Sequence, residues 1–170
     1  MKLVLLRHAQ KGITPFDDPH LTETGFRQSE ALASFVEKKI LPIPTHAWVS
    51  PKIRTAQTLK SVCELAGARI EVTKGLDLRS ADESANVFRK RVQQTLQHFQ
   101  DRVASGAQET HYLCTHYDWI EDAMTLIHSD KDLNSFEFSH WGPTQYIVFE
   151  IQDDIWKVFQ KGSAHATKTD

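Results

Sequence analysis

Arg7 and His8 end the apolar run of "LVLLRHAQ", Ser50 and Arg54 stand in "SPKIRTAQT", and Thr115 and His116 close the apolar part of "YLCTHYDWI". A guanidinium presents a planar fork that matches two oxygens of a tetrahedral dianion, and a helix N-terminus adds partial positive charge. A neutral imidazole is a nucleophile near pH 7, provided a fixed partner holds the proton on its other nitrogen. Two arginines and two histidines gathered in one cleft therefore suit phosphoryl transfer. Donors preorganised in such a cleft would stabilise charge on the equatorial oxygens.

Such a cleft needs elements that deliver the four residues to one place. Short apolar runs of strand type cover 2–7, 46–50, 69–73, 111–115 and 145–151, with 155–160 as hairpin partner of the last. Helical periodicity fills the gaps. Thr22 is a candidate N-cap for a helix whose apolar face is Leu32, Phe35, Val36 and Ile40. Ser50 and Pro51 are expected to open a second helix that Gly67 closes, Phe88, Val92, Leu96, Phe99 and Val103 mark a third, and Ile120, Ala123, Met124 and Ile127 mark a fourth. Strands alternating with helices imply a three-layer α/β/α sandwich, its central sheet mostly parallel with an antiparallel C-terminal edge. Residues 7–8, 50–54 and 115–116 all follow carboxyl ends of parallel strands, the rim at which open α/β sheets bind ligands.

A chain of 170 residues fits one domain, read as 1–161, with "GSAHATKTD" over 162–170 as a frayed tail. Twenty basic against 22 acidic residues, well mixed and netting -2, exclude a nucleic-acid footprint and a polybasic membrane surface. Cys63 and Cys114 form no ligand spacing, the nine histidines are scattered, and no HExxH or phosphate-binding glycine loop occurs, so neither a metal nor another cofactor is expected. No apolar run has signal-peptide or membrane-spanning length, and a cytoplasmic location is expected. His111 is expected on the strand face opposite His116, as a surface or packing residue, and His20 as part of a short loop. Tyr117 and Trp141 are candidate pocket walls.

In order and flanking residues these segments resemble the histidine phosphatase superfamily, the phosphoglycerate mutase-like proteins. "RHAQ" is similar to its Arg-His-Gly motif, "DDPHLTETGFRQSEAL" to its Leu-Thr segment, "SPKIRTAQT" to its second arginine segment, and "YLCTHYDWI" to its strand-then-histidine motif. The resemblance implies a phosphoglycerate mutase-like fold, His8 as the nucleophile that becomes phosphorylated, Arg7 and Arg54 as holders of the phosphoryl oxygens, and His116 as the second histidine. Ala9 replaces the usual glycine and Gln10 a frequent glutamate. The family's acid segment is missing from "KGLDLRSADES", where Asp82 and Glu83 are the nearest carboxylates read from sequence; one of them supplies the leaving-group proton, or the pair caps the next helix. Short loops and the missing acid segment resemble the small SixA-type phosphohistidine phosphatases. The expectation is a metal-independent phosphatase acting on a phosphohistidine protein, with a small-metabolite phosphatase, a mutase-like transferase and a silent phosphate-binding module as alternatives.

Overall fold

The structure is a computed structural model that describes residues 1–103 and 108–164. Six strands form one sheet in the order β3-β2-β4-β1-β5-β6. The strands are β1 (Lys2–Arg7), β2 (His46–Val49), β3 (Ile70–Val72), β4 (Thr110–Thr115), β5 (Gln145–Gln152) and β6 (Ile155–Ser163), and the helices are α1 (Glu23–Glu37), α2 (Ile53–Ala66), α3 (Ala85–Val103) and α4 (Tyr117–Leu126). The first four strands are mutually parallel; β5 runs antiparallel to β1, and β6 antiparallel to β5.

Alternation along the central strands divides the core into two. Leu3, Leu5 and Leu113 pack with α3 and α4 residues such as Phe99 and Trp119, whereas Val4, Leu6, Tyr112 and Cys114 pack with Leu32, Val36, Leu59 and Val62 of α1 and α2. Both faces are covered, so the central strands read as continuous apolar runs. This is the three-layer, mostly parallel sandwich with an antiparallel edge that the pattern implied. No helix among the described residues is long and apolar enough to cross a membrane.

Several details differ from the sequence reading. α1 stops at Glu37, and Lys39 turns the chain at φ 60°, so Ile40 is exposed while Leu41 takes the buried place. α2 starts at Ile53 with Lys52 as N-cap; Ser50 is drawn to other partners, and Asp18 supplies the missing cap by accepting from the Ile53 N–H at 3.1 Å. Gly67 does close α2, at φ 66°, where a side chain would be strained. At the C-terminus, β6 runs to Ser163 and Ala164 is buried, so 162–164 belong to the fold and not to a tail; 165–170 lie outside the described residues.

Candidate active site

β1 ends at Arg7, and the His8 N–H extends its ladder by donating to the Thr115 carbonyl at 3.0 Å. β4 ends at Thr115, so that His116 stands at the N-cap of α4. From β2 the chain passes Ser50 to the first turn of α2, where Arg54 lies. His8, Arg54 and His116 are buried to within 4–6 % of full exclusion.

Arg54 joins the two imidazoles. Its Nε donates to His8 Nε2 at 3.3 Å and its Nη2 to His116 Nδ1 at 3.3 Å, while Nη1 faces Asp18 Oδ1 at 3.5 Å. Because a guanidinium only donates, both ring nitrogens that meet it carry lone pairs. The remaining nitrogens then carry the protons. His8 Nδ1 donates to the Ala9 carbonyl at 2.7 Å, and His116 Nε2 donates to Ser50 Oγ at 2.8 Å. Each tautomer is thus fixed from both sides. The two rings meet edge to face, with centroids 5.3 Å apart.

Arg7 is half-buried. Its Nη1 donates to the Trp141 carbonyl at 2.6 Å and its guanidinium lies 5.5 Å from the Tyr117 ring centroid. Tyr117 is therefore a wall, but Trp141 contributes its backbone, since its indole is buried and donates to the Phe138 carbonyl. Ala9 is accommodated because its backbone avoids the left-handed region, and its N–H donates to Thr58 Oγ1 at 2.9 Å.

Burial, reinforced by the neighbouring guanidinium groups, pushes His8 down to about 3. Burial, then the adjacent His8 and Arg54, pushes His116 down to about 2. Both imidazoles are neutral at pH 7. In the resting site His116 thus carries a single proton, on Nε2, shared with Ser50.

The carboxylates rearrange the expected acid. Arg91 of α3 takes both oxygens of Glu83, Nε to Oε1 at 2.9 Å and Nη2 to Oε2 at 2.7 Å, which holds Glu83 below the usual carboxylate range. A carboxylate so forked is a poor proton donor. Asp82 is exposed and accepts from Ser80 Oγ at 2.7 Å, and that bond also lowers its pKa. Neither caps α3, whose first turn is met by Ser84 Oγ, the acceptor for the Val87 N–H at 3.3 Å. Asp77 is the carboxylate that the sequence reading missed: its Oδ1 lies 3.8 Å from His116 Nε2, and it borders a cavity of about 360 Å³ shared with Ser80, Glu83 and Arg91. Its signal was its place just after the turn that follows β3.

The other histidines lie outside this group. His20 pairs with Gln57 at 3.1 Å in the 8–22 loop. His111 is fully buried at the opposite end of β4, which settles its two readings in favour of packing. There His46, Glu109 and His111 have metal-ligand spacing. However, Trp48 Nε1 donates to His111 Nδ1 at 3.0 Å, leaving the His111 proton on Nε2, which donates to Glu109 at 2.7 Å. The rings of His46 and His111 are stacked, with centroids 4.8 Å apart and planes 8° apart, so in-plane lone pairs from the two do not converge on one ion.

Residues 3–82 match the family model described as histidine phosphatase superfamily (branch 1). No curated protein matches. Among solved structures, the protein histidine phosphatase SixA complexed with tungstate is 15% identical, with 96% of this chain and 97% of that one covered at a TM-score of 0.75. A phosphoserine phosphatase from Entamoeba histolytica, in complex with 3-phosphoglyceric acid, is 14% identical over 95% and 96% of the two chains at 0.70. A mycobacterial glucosyl-3-phosphoglycerate phosphatase complexed with VO3 is 18% identical over 95% and 99% at 0.71. At these identities the likeness to solved structures is one of fold.

Proposed function

We propose, from the family model matched over residues 3–82 and the shared fold, that the chain is a histidine phosphatase superfamily protein and a phosphatase working through a phosphohistidine on His8. The observation that carries this reading is the two-sided fixing of the His8 ring: Nδ1 gives its proton to the Ala9 carbonyl, so the lone pair sits on Nε2 between Arg54 and the cleft. That is the state an attacking imidazole needs.

In the first half-reaction the Nε2–P bond forms as the bond from phosphorus to the leaving atom breaks, and Asp77 delivers a proton to that atom. Arg54 turns its N–H groups from the imidazoles to the equatorial oxygens, joined by Arg7, whose Nε has no partner among the described protein groups. In the second, water attacks phosphorus, Asp77 takes its proton, and the Nε2–P bond breaks to return His8. The pair His116 and Ser50 completes the cage, with the Ser50 hydroxyl also touching Thr55 Oγ1 at 3.2 Å. These donors carry the charge of transfer, and turnover is expected to survive a chelator, which measuring activity in excess EDTA checks.

The substrate class we propose is a phosphohistidine carried on a protein. Two features support it: the protein histidine phosphatase SixA shares the fold over 96% of this chain, and the family's acid segment is missing after β3, which favours a phosphoryl group presented from a large surface and hydrolysis over retention of the phosphoenzyme.

The test is trapping. Brief incubation with radiolabelled phosphohistidine and an alkaline quench should leave a base-stable, acid-labile label on the chain, absent from His8→Gln. An acid-stable label, or equal labelling of the variant, overturns the mechanism. Faster turnover of free sugar phosphates than of phosphohistidine protein would overturn the substrate class and leave the mechanism standing.

A further inference from the structure

We infer that Arg91, which lies on α3 and touches neither imidazole, is the residue that positions Asp77 against the phosphoryl cage. The inference rests on the reading of Asp77 as proton carrier. The segment from Lys74 to Glu83 is a short 3-10 turn followed by residues with no regular hydrogen-bond ladder; the Asp77 carboxylate accepts from the Leu78 N–H at 2.9 Å, so the place of the whole turn, and with it that carboxylate, has to be set from outside. Arg91 does this with all three guanidinium nitrogens. Nη1 donates to the carbonyls of Lys74 and Asp77, each at 2.9 Å, and Nη2 to that of Leu78 at 3.3 Å. Nε and Nη2 also hold Glu83 at the far end of the segment.

Thus one planar group grips the residues before, at and after Asp77. Glu83 in turn locks the guanidinium, because an ion pair with two parallel bonds fixes both position and plane. Other groups hold the two ends of this stretch: Trp119 Nε1 donates to the Gly75 carbonyl at 2.7 Å, Thr115 Oγ1 to that of Leu76 at 2.6 Å, and Asp118 Oδ2 accepts from the Arg79 N–H at 2.8 Å. Between those ends, the carbonyls of Asp77 and Leu78 are held by Arg91. Glu83 therefore serves the site at second hand, through Arg91 and then Asp77.

A lysine retains the charge of Arg91 but cannot reach carbonyls on both sides of Asp77 in one plane. The experiment compares Arg91→Lys, Asp77→Asn and the double variant on an alkyl phosphate, whose leaving oxygen needs a proton, and on p-nitrophenyl phosphate, whose leaving group does not. Asp77→Asn should lower alkyl phosphate turnover by ~100-fold or more, the size of a general-acid contribution, with under ~5-fold on p-nitrophenyl phosphate. Arg91→Lys should lower the alkyl reaction roughly 10-fold, leave the nitrophenyl reaction within about 2-fold, and add less than about 2-fold to Asp77→Asn, as expected of a residue acting through another. Glu83→Gln should show the same pattern more weakly, and stands in if Arg91→Lys does not fold.

Ring nitrogen NMR shifts of His116 give a second readout: Arg91→Lys and Asp77→Asn should both move them. Equal losses on both substrates from Arg91→Lys, no loss on either, or His116 shifts unmoved would overturn the positioning role. If Asp77→Asn shows no difference between substrates, the proton-carrier reading fails, and the NMR arm alone decides whether Arg91 sets the place of Asp77.

Discussion

Arg54 addresses three partners with three nitrogens, His8, His116 and Asp18, and this geometry decides what a substitution there does. A lysine at that position brings one ammonium and no plane. We expect Arg54→Lys to lose about as much kcat/KM as Arg54→Ala, on the order of 100- to 1,000-fold by comparison with loss of an oxyanion donor. Near-normal turnover of the lysine variant on phosphohistidine would show that charge alone suffices. The depressed pKa values make a separate claim about the imidazoles. With folded values near 3 and 2, the ring protons of His8 and His116 should show no titration between pH 8 and 5 in the ligand-free protein. An unshifted histidine would be only about 3 % neutral at pH 5. A midpoint near 6.5 for either ring, followed by NMR, would contradict the assignment.

At the level of elements, the entry of α1 is fixed by a close approach. A Cβ on Gly25 would fall 2.1 Å from the Gln10 carbonyl oxygen, which is backbone and has little room to yield. Thr22 caps the same turn by accepting from the Gly25 N–H at 3.1 Å. Gly25→Ala should destabilise the protein by about 2 kcal/mol, the usual cost of overpacking, and lower Tm by roughly 4–8 °C. An unchanged Tm would mean that the loop after His8 shifts freely. Helices α1, α3 and α4 were legible in the sequence because each repeats its apolar period, α2 because Pro51 and Gly67 bracket it, and the strands because each is a short apolar or alternating run bounded by polar residues. Arg7, His8, Arg54 and His116 were legible because each follows the end of a strand or opens a helix. Asp77 was not, since nothing in "KGLDLRSADES" distinguishes one carboxylate from three; contacts with α3 and α4, remote in sequence, make the choice. The start of α2 was misplaced for a similar reason: its cap comes from Asp18, 35 positions earlier.

Over the whole molecule, buried neutral imidazoles tie stability to pH. The unfolded chain binds protons on His8 and His116 below about 6.5, whereas the folded chain does so only near 3 and 2. Their contribution is fully present above 6.5 and is lost as pH falls through that window, at up to about 2.7 kcal/mol per pH unit for the two together. Glu83 and Glu109, held below their usual range by Arg91 and His111, weaken the fold in the same direction at lower pH. Urea midpoints should therefore fall steadily from pH 7 to 5, and less steeply in His8→Gln; a flat profile would refute the assignment of both rings. The two ends of the described chain lie at opposite poles. Met1 adjoins β1 at the end away from His8, about 20 Å distant at some 3.3 Å per residue. Ala164, by contrast, packs at the cage side: its N–H donates to the Thr144 carbonyl, and the Thr144 N–H donates back to the carbonyls of Arg7 and His8. An enzyme grafted to a solid support through Met1 would thus hold its cleft outward to the solution, whereas one grafted just past Ala164 would press it against the support, so that the choice of anchoring end alone should separate a working surface from an idle one.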